Sequence, residues 1–264
     1  MKRTIINRLE QIAAANGIQL LFACESGSRA WGFPSPDSDY DVRFIYLRPA
    51  ASYLSIQAGK DNLGFPISDE LDIYGWDLRK VLQLIKKSNT TPFEWLQSPV
   101  IYKEAQGFRE TLWALCSRYF SQRSNIHHYL GIANGALAAI GQVNEIKIKK
   151  LFYILRPLLA AMWNLERNSI APMAIAPLLE LLPALLQEQV QELIAWKANA
   201  AEGALITIPA GLHAWINTAF SRITAESAGM QRSHFELAPL DEFFIKNLQS
   251  YDYSRNKGKR LAAV

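Results

Sequence analysis

The sequence predicts an α+β fold, with a small mixed sheet and flanking helices followed by an all-helical C-terminal domain. Residues 2–100 alternate between helical and strand periodicity, whereas nearly every periodic segment from about 104 to 225 is helical. The change near 100–122 predicts two domains, residues 1–120 and 121–250. The basic end of the chain, 251–264, is expected to be a flexible tail.

The first domain has the predicted order helix, strand, turn, strand, loop, strand, helix. Apolar residues at helical spacing before Gly17 predict a helix over 2–16. Apolar runs in IQLLFACES and DYDVRFIYL predict two strands, and the alternation in ISDELDIYGW predicts a third. The segment WDLRKVLQLIKKSN places its aliphatic side chains on one face, which predicts a helix that begins near Asp77.

The second domain contains long helical patterns. Residues 104–120, which lead into it, 124–143 and 145–165 each have helical periodicity, and prolines punctuate the later segments. Pro157 lies inside the third pattern and is expected to kink or restart that helix.

The composition limits the kinds of partner and the cellular location that the protein can have. The chain has 264 residues, half of them hydrophobic, and 28 Lys and Arg against 24 Asp and Glu give a formal charge of +4. This charge permits an anionic partner such as a nucleotide or a nucleic acid. Two cysteines without a CxxC pair favour a reducing, cytoplasmic location, and no apolar run is long enough for a membrane span.

Two carboxylates open the second predicted strand. Asp39 and Asp41 flank Tyr40, so in a strand they point to the same face. Like charges this close are costly unless a cation lies between them, and oxygen ligands select Mg²⁺ or Mn²⁺. Asp72 in the next strand pattern would supply a third carboxylate, with Glu70 and Asp77 as alternatives. Asp77 is better explained as a helix N-cap.

A Gly-Ser pair precedes these carboxylates. Gly27 permits a sharp turn and a close approach of a ligand to the backbone, and Ser28 offers a hydroxyl and a main-chain N–H. Arg29 adds a positive charge, although it could equally pair with a neighbouring carboxylate. A short helix that begins here would favour phosphate. A triphosphate cradle beside metal-binding carboxylates suits two-metal phosphoryl or nucleotidyl transfer.

Longer strings extend this pattern. GSRAWGFPSPDSDYDVRFIY, ELDIYGWDLRKVLQLIKKSN, EWLQSP and KKLFYILRPLLAAMW resemble the RNA repair pathway DNA polymerase beta family, over roughly residues 5–250. The resemblance implies a polymerase-β-like nucleotidyltransferase domain in residues 1–120 and a substrate- and nucleotide-binding helical domain in 121–250. It also implies Gly27 and Ser28 at the triphosphate, Asp39 and Asp41 on both metals, and Asp72 on the catalytic metal.

The helical domain is expected to complete the nucleotide site. Related two-domain nucleotidyltransferases supply cations and an aromatic side chain across the cleft, which suggests Lys150, Tyr153 and Arg156 in KIKKLFYILRP. A plain solvated basic face is the alternative, although Lys149, Phe152, Tyr153 and Arg156 share one helical stripe.

Trp31, Trp76 and Trp95 are expected to pack in the core or between domains, and His127 and His128 to be solvated or capping residues.

The resemblance therefore implies a Mg²⁺-dependent enzyme that moves a nucleoside monophosphate from an NTP to a hydroxyl acceptor. The expected acceptor is an RNA 3′ end, in a repair pathway that also includes an RNA ligase. A protein side chain or a small molecule as acceptor, and a non-catalytic module that binds RNA or a partner, are the alternatives.

Overall fold

The first part of the chain folds around a five-stranded sheet. The computed structural model describes residues 1–57, 59–68, 70–138 and 145–261, with the backbone alone described for 138 and 255–261. The elements up to residue 118 are α1 (Lys2–Asn16), β1 (Gln19–Glu25), α2 (Gly27–Trp31), β2 (Tyr40–Leu47), α3 (Ala50–Tyr53), β3 (Asn62–Gly64), β4 (Leu71–Asp77), α4 (Leu78–Lys86), α5 (Thr90–Gln97), β5 (Ile101–Glu104) and α6 (Phe108–Arg118).

The sheet is mixed, with strand order β3-β4-β2-β1-β5. β2 and β4 run parallel, and the other neighbouring strands are antiparallel. A parallel pair requires a crossover connection; here residues 48–70 make it and include α3 and β3. The two parallel strands therefore begin at the same edge of the sheet.

Both faces of the sheet are covered, because successive strand residues point to opposite sides. Phe44 packs with Ile5 and Leu9 of α1 on one face. Its neighbour Ile45 packs on the other face with residues of α4, α5 and α6. The strands are consequently buried on both sides, and β2 is apolar from Phe44 to Leu47.

The second part of the chain is mainly helical. Its elements are α7 (Gln122–Ala138), β6 (Glu145–Lys147), α8 (Ile148–Arg167), α9 (Ile175–Leu178), a 3₁₀ turn (Leu179–Leu181), α10 (Ala184–Lys197), β7 (Leu205–Thr207), α11 (Ala210–Ser227) and α12 (Ala238–Leu261). α8 is buried along most of its length and forms the centre of a core shared with α7 and α11. The pairing of β6 with β7 adds a two-stranded sheet that the sequence pattern did not predict.

Several elements differ from the prediction. The segment 145–165 begins as strand β6 rather than as a helix, and α8 continues through Pro157 without a restart. Tertiary packing on both sides of α8 outweighs the backbone hydrogen bond that a proline cannot donate. The predicted helical segment 139–143 lies outside the described residues.

The last helix returns to the sheet. Leu240 and Phe243 of α12 lie in the core that covers one sheet face, so the end of the chain packs with the first part rather than with α8. α12 extends to Leu261, and most of the segment 251–264 predicted as a tail is therefore helical in the structure. None of the helices within the described ranges carries an apolar stretch that would cross a membrane.

A buried ion pair joins the two parts of the chain. Arg156 of α8, only 3% exposed, places Nη2 3.0 Å from Oε1 of Glu94 in α5. Its Nε donates to the main-chain oxygen of Met173 at 2.9 Å, and its guanidinium lies 4.6 Å from the centre of the Trp31 ring. Because water cannot solvate either charge fully, each depends on the other.

We expect Arg156→Met to destabilise the protein strongly. The substitution would leave the Glu94 carboxylate buried without its cation, a loss of roughly 3–5 kcal/mol in the free energy of unfolding. Urea unfolding measures this change. Arg222→Met is the matched control, because Arg222 makes ion pairs with Glu166 and Glu226 on the surface; it should cost no more than about 0.5 kcal/mol. Equal losses in the two variants would contradict the assignment.

Candidate active site

The parallel pairing of β2 with β4 brings two of the predicted carboxylates together. Asp41 lies directly opposite Asp72 in the register. Both residues are part of their strands, with side chains that are 24% and 29% exposed. A one-residue shift in register would turn one of these carboxylates to the opposite face. The hydrogen-bonded ladder between the strands therefore fixes the spacing of the two carboxylates.

A cation already lies between these carboxylates. Arg43 Nη2 is 2.8 Å from Oδ1 of Asp41 and 2.7 Å from Oδ2 of Asp72. The other terminal nitrogen, Nη1, donates to the main-chain oxygen of Asp72 at 2.8 Å. Sequence reasoning predicted that a metal ion relieves the like-charge crowding of Asp39 and Asp41. In the structure this protein's own guanidinium lies between Asp41 and Asp72 and offsets the repulsion of that pair.

Asp41 holds its negative charge in an unfavourable environment. Burial raises the pKa of its carboxyl group, Arg43 lowers it, and the nearby charges of Asp72 and Asp39 raise it again, with a net upward shift. The main-chain N–H of Asp41 donates to Oε1 of Glu25 at 2.7 Å, and the other oxygen of Glu25 accepts from the hydroxyl of Tyr102. Glu25 thus fixes the backbone at the start of β2.

Asp39 lies just before β2 and is half-buried. Its main-chain oxygen accepts from Nε of Arg29 at 3.2 Å, and its carboxylate interacts electrostatically with Asp41 and Lys149. Across the residues that the structure describes, no three His, Cys, Asp or Glu side chains are grouped so as to hold a metal ion.

The donor set nevertheless fits a hard divalent cation. Asp41 and Asp72 each place an oxygen within 2.8 Å of one nitrogen of Arg43, so the two carboxylates converge on a single point. Mg²⁺ is usually held by one or two carboxylates, with substrate phosphates and water as the remaining ligands. The two alternatives to Asp72 as the third carboxylate, Glu70 and Asp77, lie away from this point. Asp77 caps α4 through the N–H of Arg79 at 2.9 Å, and Glu70 is exposed beyond the strand.

Gly27 is required at its position by the closeness of Asp41. It adopts φ +60°, and a Cβ built on it would lie 1.8 Å from Oδ2 of Asp41. The following residue, Ser28, is buried and donates its hydroxyl to Oγ of Ser38 at 3.1 Å. The Gly-Ser turn predicted from sequence is therefore in direct contact with the carboxylate edge of the sheet.

Arg29 holds the turn that precedes Asp39. Its Nη2 donates to the main-chain oxygen of Ser38 at 2.7 Å, and its guanidinium lies 3.9 Å from the centre of the Tyr40 ring. These contacts occupy Arg29 with backbone and aromatic partners. The structure therefore gives this residue a role in shaping the turn, beside the phosphate contact that the sequence suggested.

The helical part contributes a second ion pair to the site, between Lys149 and Glu202. Glu202 accepts from the Ser38 hydroxyl at 2.6 Å and from Nζ of Lys149 at 2.5 Å. Burial opposes both charges, but the mutual contact outweighs it, so the pKa of Lys149 is raised and that of Glu202 is lowered. A hydrogen-bonded chain thus runs from Ser28 through Ser38 and Glu202 to Lys149.

The residues of α8 that were predicted to contact the nucleotide lie in different environments in the structure. Tyr153 is half-buried, and its ring packs edge-on against Trp31 at a centroid distance of 5.5 Å. Lys150 is exposed and is not part of the cavity beside Asp41, whereas Lys149 interacts with Asp39. The sequence prediction named Lys150, although the four-residue spacing of Lys149 and Tyr153 put Lys149 on the same helical stripe and was compatible with either lysine.

Other residues of the site were missed or interpreted differently. Arg43, Glu25 and Glu202 were not predicted. Glu25 and Glu202 act through partners distant in sequence, whereas Arg43 lies two residues from Asp41, on the same face of β2, which strand alternation could have indicated. His128 was expected to be solvated or capping, but it is half-buried and borders the cavity beside Asp41, and burial lowers its pKa. Trp76 and Trp95 do pack as expected, with stacked rings 4.3 Å apart.

We expect Gly27→Ala to be more damaging than Gly32→Ala. Both glycines have a positive φ, so each alanine would suffer backbone strain of roughly 1–2 kcal/mol. Only at Gly27 does the new methyl group also collide with Asp41; a Cβ at Gly32 meets nothing within 4 Å. The two melting temperatures, compared with that of the unmodified protein, measure the difference. Equal decreases in melting temperature would show that the collision with Asp41 adds nothing to the cost of the Gly27→Ala substitution.

Comparisons with known proteins agree with the resemblance. The uncharacterized protein YcgL of Bacillus subtilis (strain 168) is 42% identical over 225 residues, which is 84% of this chain and 86% of that protein. A crystal structure of a nucleotidyltransferase-like protein from Exiguobacterium sibiricum 255-15 covers 84% of this chain and 74% of its own, at 12% identity and a TM-score of 0.31, too weak a likeness to carry weight. A model of the RNA repair pathway DNA polymerase beta family matches residues 1–246, and the chain belongs to that family.

Proposed function

We propose that this protein transfers a nucleoside monophosphate from an NTP to the 3′ hydroxyl of an RNA, with Mg²⁺ or Mn²⁺ as cofactor. The single observation that carries the proposal is the pairing of Asp41 with Asp72 across two parallel strands, beside the Gly27–Ser28 turn. Membership of an RNA repair family supports RNA as the acceptor and an RNA ligase as a functional partner in the same pathway.

Asp41 and Asp72 would hold the divalent cation, and Asp39 would join them as a further ligand. When bound, such a cation makes the acceptor hydroxyl more acidic and offsets the charge of the leaving pyrophosphate. Asp72 would orient the acceptor hydroxyl and receive its proton at a carboxylate oxygen. Its position at the edge of the site, opposite Asp41, suits that role.

The triphosphate would lie over the Gly27–Ser28 turn. The absence of a side chain at Gly27 lets the turn and the Asp41 carboxylate lie in close contact, and Ser28 offers its hydroxyl. Lys149 carries the positive charge on this side, and its contact with Glu202 would be exchanged for one with phosphate. Arg43 would release the carboxylates when the cation binds, because a guanidinium and a metal ion cannot occupy the same point.

Labelled-nucleotide transfer tests the function. The protein, Mg²⁺ and each α-³²P-labelled NTP are incubated with an oligoribonucleotide that ends in a 3′ hydroxyl, and with the same oligonucleotide blocked at that position. Label should enter only the unblocked RNA. We expect Asp41→Asn to reduce transfer by at least about 100-fold, the loss that misplaced reacting groups alone produce.

Asp61→Asn is the matched control for this experiment. Asp61 is an exposed aspartate that pairs with Lys80 on the surface, so the substitution should leave transfer unchanged. Label that enters the protein itself or a small molecule, and not the RNA, would replace the proposed acceptor. An absence of transfer with every NTP would overturn the proposed activity.

Removal of Arg43 should strengthen binding of a divalent cation. The guanidinium competes for both carboxylates, so we expect Arg43→Met to raise the affinity for Mn²⁺ on the order of tenfold, equivalent to about 1.4 kcal/mol. Electron paramagnetic resonance of free Mn²⁺ measures the affinity without turnover. Lys103→Met, which removes an exposed lysine paired with Glu10, should leave it unchanged. Weaker binding in Arg43→Met would mean that Arg43 supports the metal site instead of competing for it.

A further inference from the structure

A fully buried lysine lies at the end of α10. Lys197 is the last residue of that helix and is 0% exposed. Its Nζ donates to Oγ of Ser35 at 2.8 Å and lies 6.0 Å from the centre of the Phe33 ring. Lysine is almost never fully buried unless a carboxylate pairs with it, yet the hydrogen-bond partner here is a neutral hydroxyl. None of the roles assigned above uses this charge.

Glu202 interacts with two lysines, of which one is in contact with it. Lys149 lies 2.5 Å from Oε2 of Glu202. Burial lowers the pKa of Lys197, and the negative charge of Glu202 opposes that shift from a longer distance, whereas Lys149 adds to it by repulsion. In return, Lys197 contributes to the lowered pKa of Glu202. The carboxylate of Glu202 therefore lies in the field of both cations.

Hydrogen bonds tie Lys197 and Glu202 to the same turn. Ser35, which accepts from Lys197, donates its main-chain N–H to Oγ of Ser38 at 2.9 Å. Ser38 donates its hydroxyl to Glu202 at 2.6 Å, and the N–H of Glu202 donates to the carboxylate of Asp37 at 2.9 Å. None of these bonds involves α8. The turn therefore holds Lys197 and Glu202 near each other whatever the partner of the lysine on α8.

Phosphate binding would remove the direct partner of Glu202. In the proposed function, Lys149 exchanges its contact with Glu202 for one with phosphate. The side chain of Glu202 is only 16% exposed, so water solvates its charge incompletely, and loss of its cation costs free energy. A second positive charge fixed nearby lowers that cost. Lys197 is the cation that remains, because its own hydrogen bond is made to the turn.

We propose that Lys197 is a positioning residue that compensates the charge of Glu202 when Lys149 moves to the triphosphate. The inference rests on the proposed function for the phosphate contact of Lys149. Lys197 acts through Glu202: its charge weakens the hold of Glu202 on Lys149, so that phosphate competes for Lys149 successfully. Without Lys197, Glu202 retains Lys149 and the triphosphate binds less tightly.

ATP affinity in three variants tests this role without turnover. Isothermal titration calorimetry with ATP and Mg²⁺, in the absence of RNA, measures the affinity. Lys197→Met keeps the length of the side chain and removes its charge, and we expect ATP binding to weaken about tenfold. Glu202→Gln removes the competitor for Lys149 and should bind ATP at least as tightly as the unmodified protein. Lys197→Met/Glu202→Gln should match Glu202→Gln, because Lys197 acts through Glu202.

The double variant distinguishes this role from a purely structural one. If Lys197 only supports the packing of α10, the loss of ATP affinity persists in Lys197→Met/Glu202→Gln. A persistent loss would overturn the inference, and so would normal ATP affinity in Lys197→Met. Lys103→Met is the matched control, because Lys103 is an exposed lysine paired with Glu10 on the surface. Its ATP affinity should equal that of the unmodified protein.

A measurement on the unmodified protein does not depend on the folding of Lys197→Met. Nuclear magnetic resonance of ¹⁵N-labelled lysine side chains follows the titration of Lys197 with and without ATP and Mg²⁺. We expect the pKa of Lys197 to rise when ATP binds, because Glu202 then has Lys197 as its remaining cation. The rise should be smaller in Glu202→Gln. An unchanged pKa, or an equal rise in Glu202→Gln, would contradict the inference.

Lys149→Met separates this inference from the proposed function. It removes the proposed phosphate contact and should weaken ATP binding. Unchanged ATP affinity in Lys149→Met would overturn that contact and the inference with it. Weaker binding in Lys149→Met together with normal binding in Lys197→Met would overturn the inference alone. The expected affinities in a protein that transfers no nucleotide would support the inference and overturn the proposed activity.

Discussion

The pairing of Asp41 with Asp72, and the Arg43 guanidinium between them, is the constraint around which the site is arranged. Two ionised groups on adjacent strands of a buried sheet repel each other, and desolvation adds to the cost. Arg43 offsets this repulsion from within β2 itself. The free protein therefore has a charge-compensated site, and any cation that binds there must replace an internal partner instead of filling an empty acidic pocket.

The same principle operates at the Gly27–Ser28 turn, which we propose binds the triphosphate. Lys149 is neutralised by Glu202, and Glu202 also receives the Ser38 hydroxyl that is hydrogen-bonded to Ser28. A metal–nucleotide complex carries both signs of charge. Its binding would exchange Arg43 for a metal ion at the two carboxylates and Glu202 for phosphate at Lys149, so that Asp41, Asp72 and Lys149 each keep a counter-ion. Such an exchange favours the complete metal–nucleotide complex over either component alone.

The two parts of the chain meet at the site, and their contact has a structural function of its own. The buried pair of Arg156 with Glu94 ties α8 to α5, and Arg156 also supports the Trp31 ring. The position of α8 in turn places Lys149 near Asp39 and Tyr153 against Trp31. Arg156 was expected from the sequence to contact the nucleotide. In the free protein it holds α8 in position against α5.

The sequence by itself determined the fold class, the family, and the local elements that carry the motif. The Gly-Ser turn, the β2 and β4 strands and the Asp77 cap follow from local patterns, because turn chemistry, alternation and capping act within a few residues. Only the tertiary structure decided what lies between the carboxylates, which lysine of α8 faces them, and that α8 runs through Pro157. The contact of Arg43 with Asp41 is local, but its contact with Asp72 depends on strand register. The contact of Ser38 with Glu202 joins residues more than 100 positions apart in sequence, and no local pattern encodes it.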